Sequence, residues 1–283
     1  MPVAASTVLA PILSGRPRPL TVVVGGASAA YLRDDGGVVA VHSADSVPAS
    51  CGLLLPPGRG PDVLFHPGQT VLAGHGFLQT ASHRLLVTRW WPPASVGPPA
   101  TDEQVPLPPA PRELLRALLS DAGPSVDEAA LQARNVAVPA AVALAGGDIP
   151  TTARLLTGVL GLGPGLTPSG DDVAAGILLV LFGVLGGDCP NLERLASTVV
   201  AAARSSTTTV SVALLTEAAA GRTSVPVARA VRALLGRPFV GTPADAFAAL
   251  LALGHLSGAD LATGMLAAAD AFAAAPLQQR RSA

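Results

Sequence analysis

Residues 161–172, Gly-Leu-Gly-Pro-Gly-Leu-Thr-Pro-Ser-Gly-Asp-Asp, gather the groups best suited to chemistry. They hold four glycines, two prolines, Thr167, Ser169 and the adjacent carboxylates Asp171 and Asp172. Glycine lets backbone come close to a ligand, and a helix opening at the end of such a loop presents unpaired N–H groups to an anion. Gly163, Gly165, Thr167, Ser169 and Gly170 are therefore candidate anion-binding residues. No lysine follows the last glycine, so this is not a Walker loop, and the spacing is not that of a dinucleotide fingerprint. Adjacent carboxylates repel a bare phosphate. Either one caps the helix and faces away, or a divalent cation such as Mg2+ bridges it to the ligand. Asp171 and Asp172 are the first candidates for a catalytic role.

Part of this stretch recurs. Residues 169–178 read SGDDVAAGIL and residues 257–266 read SGADLATGML. Ser169/Ser257, Gly170/Gly258, Asp172/Asp260 and Gly176/Gly264 are shared. Each copy enters an apolar run and reads as a helix starting at its serine, with the acid three positions on completing a capping-box-like pattern. A cap contributes about 1 kcal/mol, so stability alone is a sufficient reason for the second copy. The glycines two turns in allow another helix to approach closely. Two related helices packed about a pseudo-twofold axis would bring both N-termini to one site, adding Ser257, Gly258 and Asp260 to the binding set. Asp172 and Asp260 would then lie within roughly 10 Å of each other, as the only candidate metal ligands. A cation or a protonated partner should accompany them.

The second polar element runs from Arg204 to Ser211, Arg-Ser-Ser-Thr-Thr-Thr-Val-Ser. A fixed guanidinium beside hydroxyls suits a carboxylate or phosphate, which makes Arg204 a catalytic candidate and Thr207, Thr208 and Ser211 binding candidates. The alternative is a helix whose hydroxyls bond back to its own carbonyls. His255 directly precedes the second Ser-Gly-x-Asp turn and is either a binding residue or part of a helix terminus. The other histidines show no ligand spacing. No Gly-x-Ser-x-Gly elbow or Cys/His pairing marks a nucleophile, so positioning and electrostatic stabilisation must carry any catalysis.

The elements that hold these residues follow from composition and pattern. Apolar residues make up 49% of the 283, charged ones 13% and aromatics 3%, which favours closely packed, alanine-rich helices. Net charge is −1 and every basic side chain is arginine, which excludes a lysine nucleophile and leaves no basic run for nucleic acid. The longest apolar run, 173–187, is shorter than the roughly 20 residues a bilayer needs and reads as a buried helix. No basic segment precedes the apolar N-terminus, so no signal peptide is expected. Cys51 and Cys189 match no metal spacing and are expected to be reduced thiols in a cytoplasmic protein.

The fold class read from the chain is α+β. Residues 1–91 form a small antiparallel β-rich domain, a sheet, sandwich or barrel, with runs at Thr21–Val24, Val38–Val41, Leu53–Leu55 and Leu85–Thr88 between turn clusters. Residues 92–110 are a Pro-rich linker. Residues 111–283 are mainly helical and carry the glycine-rich loop. Ser125 and Thr151 are expected to cap helices there, and Thr242-Pro-Ala-Asp245 marks another helix start.

Together, GLGPGLTPSGDD, Thr-Thr-x-Val-Ser at 207–211, Ala220-Gly221-Arg222 and Gly254-His255-x-Ser257-Gly258-x-Asp260 resemble the AllH-like family. The resemblance implies a cytoplasmic subunit of an oxamate carbamoyltransferase in allantoin catabolism, a purine-degradation route. Its implied partners are an FdrA-like subunit and a third subunit. The implied reaction moves a carbamoyl group between oxalurate and phosphate, giving oxamate and carbamoyl phosphate. All these ligands are small anions, in keeping with the glycine loop. The chain lacks the Ser-Thr-Arg-Thr loop of aspartate and ornithine carbamoyltransferases. An assembly subunit without chemistry, and an anion-binding protein without turnover, are the alternatives.

Overall fold

The computed structural model describes residues 1–35, 37–97, 107–123, 125 and 127–275. The chain divides into two compact units, Met1–Ala94 and Ser95–Ala283.

The first unit contains β1 (Pro2–Ser6), a one-turn helix α1 (Ala10–Leu13), β2 (Arg18–Gly25), β3 (Ala29–Asp34), β4 (Gly37–His42), β5 (Gly52–Leu54), β6 (Thr70–Gly74), β7 (Phe77–Gln79) and β8 (Arg84–Trp91). They close into a barrel in the order β1-β5-β4-β3-β2-β6-β7-β8, which leaves no open sheet edge. Alternation along β2 turns Leu20 and Val22 inward and Thr21 and Val23 outward. Leu20, Leu32, Leu53, Leu78 and Leu85 fill the interior without exposure.

The expected purely antiparallel sheet needs correcting. β1 runs parallel to β8, and β4 runs parallel to β5. β1 wedges between β5 and β8, antiparallel to the first, and so must run with the second. The segment 43–51 carries the chain back so that β5 starts at the same end as β4. His42 pins that segment, since its buried Nε2 accepts the Ala49 N–H at 3.2 Å. Burial lowers the His42 pKa to about 4.

The second unit contains α2 (Pro109–Asp121), α3 (Glu128–Ala145), α4 (Ile149–Thr157), α5 (Ser169–Leu185), α6 (Pro190–Ser206), α7 (Thr209–Ala219), α8 (Val225–Leu234), α9 (Pro243–Leu251) and α10 (Ser257–Ala274). Of the Pro-rich segment 92–110, residues 98–106 lie outside the described residues, and Pro109 already belongs to the first turn of α2. α5 is the central helix, buried continuously from Ser169 to Leu181. α10 and α3 pack against it. Their contacts are made by small residues, including Ala133, Ala137, Ala140 and Ala141 of α3 and Ala262, Ala268 and Ala269 of α10. No helix among the described residues is long and apolar enough to cross a membrane.

Thr242 caps α9 in a complete capping box with Asp245. Two other caps differ from expectation. Asp127 rather than Ser125 caps α3, and Asp148 rather than Thr151 caps α4. In both places an aspartate sits where its carboxylate reaches the N3 N–H, and the hydroxyl residue is left outside or inside the helix.

Candidate functional site

α5 and α10 cross where both lack side chains. A Cβ on Gly176 would lie 2.3 Å from the Leu261 carbonyl oxygen, and one on Gly264 would lie 2.2 Å from that of Val173. The repeat pairs 176 with 264 and 173 with 261, so these approaches are reciprocal, as a pseudo-twofold axis requires. The first turns of both helices are thereby brought together. Thr167 Oγ1 and Ser257 Oγ, one from each start, are 2.9 Å apart.

The serines do not cap their helices. The N-cap positions are Pro168 and Leu256, and neither makes a side-chain cap bond. Each serine is instead the first helical residue, and its hydroxyl serves the opposite helix. Ser257 stands against Asp172, and Ser169 against Asp260. The capping-box-like expectation fails because the aspartates turn into the α5–α10 crossing rather than back over their own first turn.

Asp172 and Asp260 are both buried, at 7% and 0% exposure. Burial raises the Asp172 pKa well above the usual carboxylate range. Hydrogen bonding from Ser257 and Thr167 opposes that rise, and the charges of Asp260 and Asp171 reinforce it. Burial also raises Asp260, against the pull of Ser169 and of Arg134. Arg134 of α3 donates from Nε to Asp260 Oδ1 at 2.6 Å. In each carboxyl the second oxygen, Oδ2, is buried with no hydrogen-bond partner among the described residues.

Asp171 does a different job. Its Oδ1 accepts the Gly161 N–H at 2.9 Å, and its Oδ2 accepts the Thr207 hydroxyl, which ties the glycine loop to the α6–α7 junction. Thr208 caps α7 through the Ser211 N–H and donates its hydroxyl to Leu166 O at 2.5 Å. The Ser211 hydroxyl reaches the same carbonyl. These three hydroxyls therefore hold the loop from the side rather than bonding back within their own helix.

The glycines divide by what surrounds them. A Cβ on Gly170 would meet Val159 O at 1.8 Å, and one on Gly258 would meet Leu250 O at 2.2 Å, so both are required by packing. Gly165 has nothing within 4 Å and is fixed by its backbone, with φ of +95°. Gly163, at φ +115°, lies against the Ser169 N–H. The Gly170 N–H donates to Leu162 O, and those of Asp171 and Asp172 donate to Pro168 O. Among the described residues, no hydrogen bond takes up the N–H groups of Gly163, Gly165, Leu166, Thr167 or Ser169. Apart from that of Ser169, the first residue of α5, these donors lie before the helix.

Arg204 and His255 are exposed, and neither side chain forms a hydrogen bond or ion pair among the described residues. The cation that does face the carboxyl pair is Arg134, which sequence reasoning missed. A signal existed. Arg134 lies four residues after Ala130 and three before Ala137, on the buried stripe of α3, where a guanidinium needs a carboxylate partner.

The donor set does not fit a divalent ion. Among the described residues no three His, Cys, Asp or Glu side chains cluster as metal ligands, Asp260 already faces a guanidinium, and Asp171 is committed to the loop. Arg134 offsets the charge of Asp260, and burial favours the neutral form of Asp172, which does the work a cation would otherwise do.

The arrangement defines a class of helical unit in which two repeated helix starts bury a carboxyl pair beneath a glycine-rich, donor-bearing loop. Residues 159–269 match the family described as oxamate carbamoyltransferase subunit AllH. Over this stretch, which holds the loop, both Ser-Gly-x-Asp starts and the Thr207–Ser211 element, the chain is AllH-like. Arg134 and the barrel lie outside it. No curated protein and no solved structure matches the chain.

Proposed function

We propose that this chain is a subunit of an oxamate carbamoyltransferase-like complex, acting with an FdrA-like and a third subunit, and that the loop and carboxyl pair are its ligand site. The observation that carries this reading is the coincidence of the family match with a loop of uncommitted N–H donors placed over buried carboxyls. The reaction converts oxalurate and phosphate to oxamate and carbamoyl phosphate. The bond between the carbamoyl carbon and the oxamate nitrogen breaks. A phosphate oxygen takes that carbon, and the proton of hydrogen phosphate passes to the oxamate nitrogen.

In this reading the N–H groups of Gly163, Gly165, Leu166, Thr167 and Ser169 hold the anionic end. Asp172 orients the substrate amide. Asp171, Thr207, Thr208 and Ser211 keep the loop in place. Rate enhancement comes from alignment and electrostatic stabilisation. The test is a reconstituted assay with and without this chain, alongside calorimetric titration of the chain with phosphate, carbamoyl phosphate and oxamate. Saturable heat from at least one anion and loss of turnover without the chain are the expected results.

One observation favours a second reading, an assembly subunit without chemistry. Leu131, Val138 and Val142 of α3 are 39%, 60% and 59% exposed and lie along one face of the helix. That reading predicts no heat from any anion.

A further inference from the structure

The outer side of α3 is unlike that of other helices in its unit. Packing against α10, α5 and α4 buries Ala133, Ala137, Ala140 and Ala141 and so fixes which side faces out. On that side Leu131, Val138 and Val142 are 39%, 60% and 59% exposed, and Gln132, Asn135 and Pro139 are exposed among them. From Ala129 to Gly147 the one charged residue is Arg134, whose guanidinium turns to Asp260. By contrast, α2 exposes Glu113 and Arg116, and α6 exposes Glu193, Arg194 and Arg204. The outer stripe of α3 is therefore apolar and uncharged where comparable helices are charged.

Its spacing and its polar residue are specific. Positions 131, 135, 138 and 142 lie four, three and four residues apart, the spacing of a seam between two helices, with Asn135 as the polar member. Pro139 has no N–H, so the helical bond that would close on the Asn135 carbonyl cannot form. The Asn135 side chain makes no hydrogen bond among the described residues. One residue of the stripe thus carries both an uncommitted –NH2 and a carbonyl released from the helical ladder.

We propose that α3 is the contact between two copies of this chain, crossing on a twofold axis at Asn135. The stripe is complementary to itself. Donor and acceptor belong to the same residue, so a twofold axis pairs each Asn135 amide with the other copy's open carbonyl. With no charge on the stripe, the two copies meet without like-charge repulsion, while Leu131, Val138 and Val142 leave water. Three turns of one helix offer less than the about 800 Å2 that each partner gives to a standard interface, so the dimer forms only at high concentration. The proposal does not rest on the carbamoyl-transfer reading. α3 lies outside residues 159–269, and failure of either leaves the other standing.

The experiment is sedimentation equilibrium of the full chain at concentrations up to about 1 mM. The wild type is expected to pass from monomer toward dimer over that range. Val138→Glu sets like charges against each other beside the axis and should raise the dimer Kd at least about tenfold. Val138→Lys should do the same alone, and an equimolar mixture of V138E and V138K should associate again. Val240→Glu, at an 80% exposed apolar position between α8 and α9, should stay within about twofold of the wild type. Melting curves establish that the variants are folded, and the wild-type measurement needs no variant. A wild type that is monomeric at every concentration overturns the proposal, the outcome expected if another subunit is the occupant. A dimer that survives Val138→Glu, or that Val240→Glu weakens equally, overturns α3 as the contact. A mixture of V138E and V138K that stays monomeric overturns the twofold axis.

Discussion

The first turns of α5 and α10 carry the same Ser-Gly-x-Asp sequence and cross at equivalent glycines, yet their surroundings differ. The α10 start follows a short turn after α9, and its Asp260 is paired with Arg134 from α3. The α5 start follows the glycine loop, and its Asp172 has hydroxyls and other carboxylates for neighbours, with no cation among the described residues. The repeat lays down a symmetric backbone scaffold, and the asymmetry comes from α3 and the loop, neither of which is repeated. One carboxyl of the pair is matched by a cation, and the other has none among the described residues.

The comparison breaks most severely at Arg134. Removing one partner of a buried ion pair strands the other charge, at a cost of about 3–5 kcal/mol. Asp260 is 1% and Arg134 17% exposed at the side chain, so solvent screens the pair little. Arg134→Met is therefore expected to lose that much stability at neutral pH in a denaturant titration. The loss should shrink toward acid pH, where Asp260 becomes protonated and no longer needs the guanidinium. A variant as stable as the wild type at neutral pH would show that the two halves differ less than the contacts imply.

The shared scaffold is tested next. Gly176→Ala and Gly264→Ala each place a methyl group about as close to a backbone carbonyl oxygen, 2.3 and 2.2 Å, on opposite sides of the same crossing. Each is expected to cost about 3 kcal/mol, the upper range for overpacking, because backbone cannot swing aside as a flexible side chain can. The two effects should be equal. Gly165→Ala, with open space around it and only its positive φ to strain, should cost about 1 kcal/mol. A large difference between the two crossing glycines would argue against a pseudo-twofold axis.

Much of this was legible in the chain because it is encoded locally. The ten-residue repeat announced the crossing helices, and Thr242-Pro-Ala-Asp245 located the start of α9. The runs at Thr21–Val24, Val38–Val41, Leu53–Leu55 and Leu85–Thr88 fall on β2, β4, β5 and β8. What was not legible is non-local. β1 carries none of those runs, and its insertion between β5 and β8 is set by barrel closure, not by its own residues. The site shows the same division. The loop and carboxylates were visible as motifs, whereas the choice of Arg134 over Arg204 depended on which helix packs against α10. The serine caps misled for a related reason. A Ser-x-x-Asp start reads as self-contained, but here both side chains answer to the other helix.

The mildest substitution gives the sharpest contrast between the halves. Asp172 has a folded-state pKa raised by burial above its unfolded value, so the folded chain holds its proton over a range where the unfolded chain has released it. Stability linked to this group is fully present below the unfolded pKa and is lost as pH rises through the folded pKa. Asp172→Asn keeps the shape and removes the titration. Its stability should lie within about 1 kcal/mol of the wild type in acid, since a buried neutral carboxyl and an amide of the same shape are alike there. The variant should then gain on the wild type as pH rises, so that its stability profile is flatter. Paired with Arg134→Met, which falls behind as pH rises, the two curves should diverge in opposite directions from a common acid value. If the proposed function holds, Asp172→Asn should do this while impairing carbamoyl transfer by the reconstituted complex, the pattern of a group kept at a cost in stability for the sake of a ligand. If Asp172→Asn instead loses stability as pH rises, Asp172 is ionised and held by the chain, and the two halves of the repeat are equivalent.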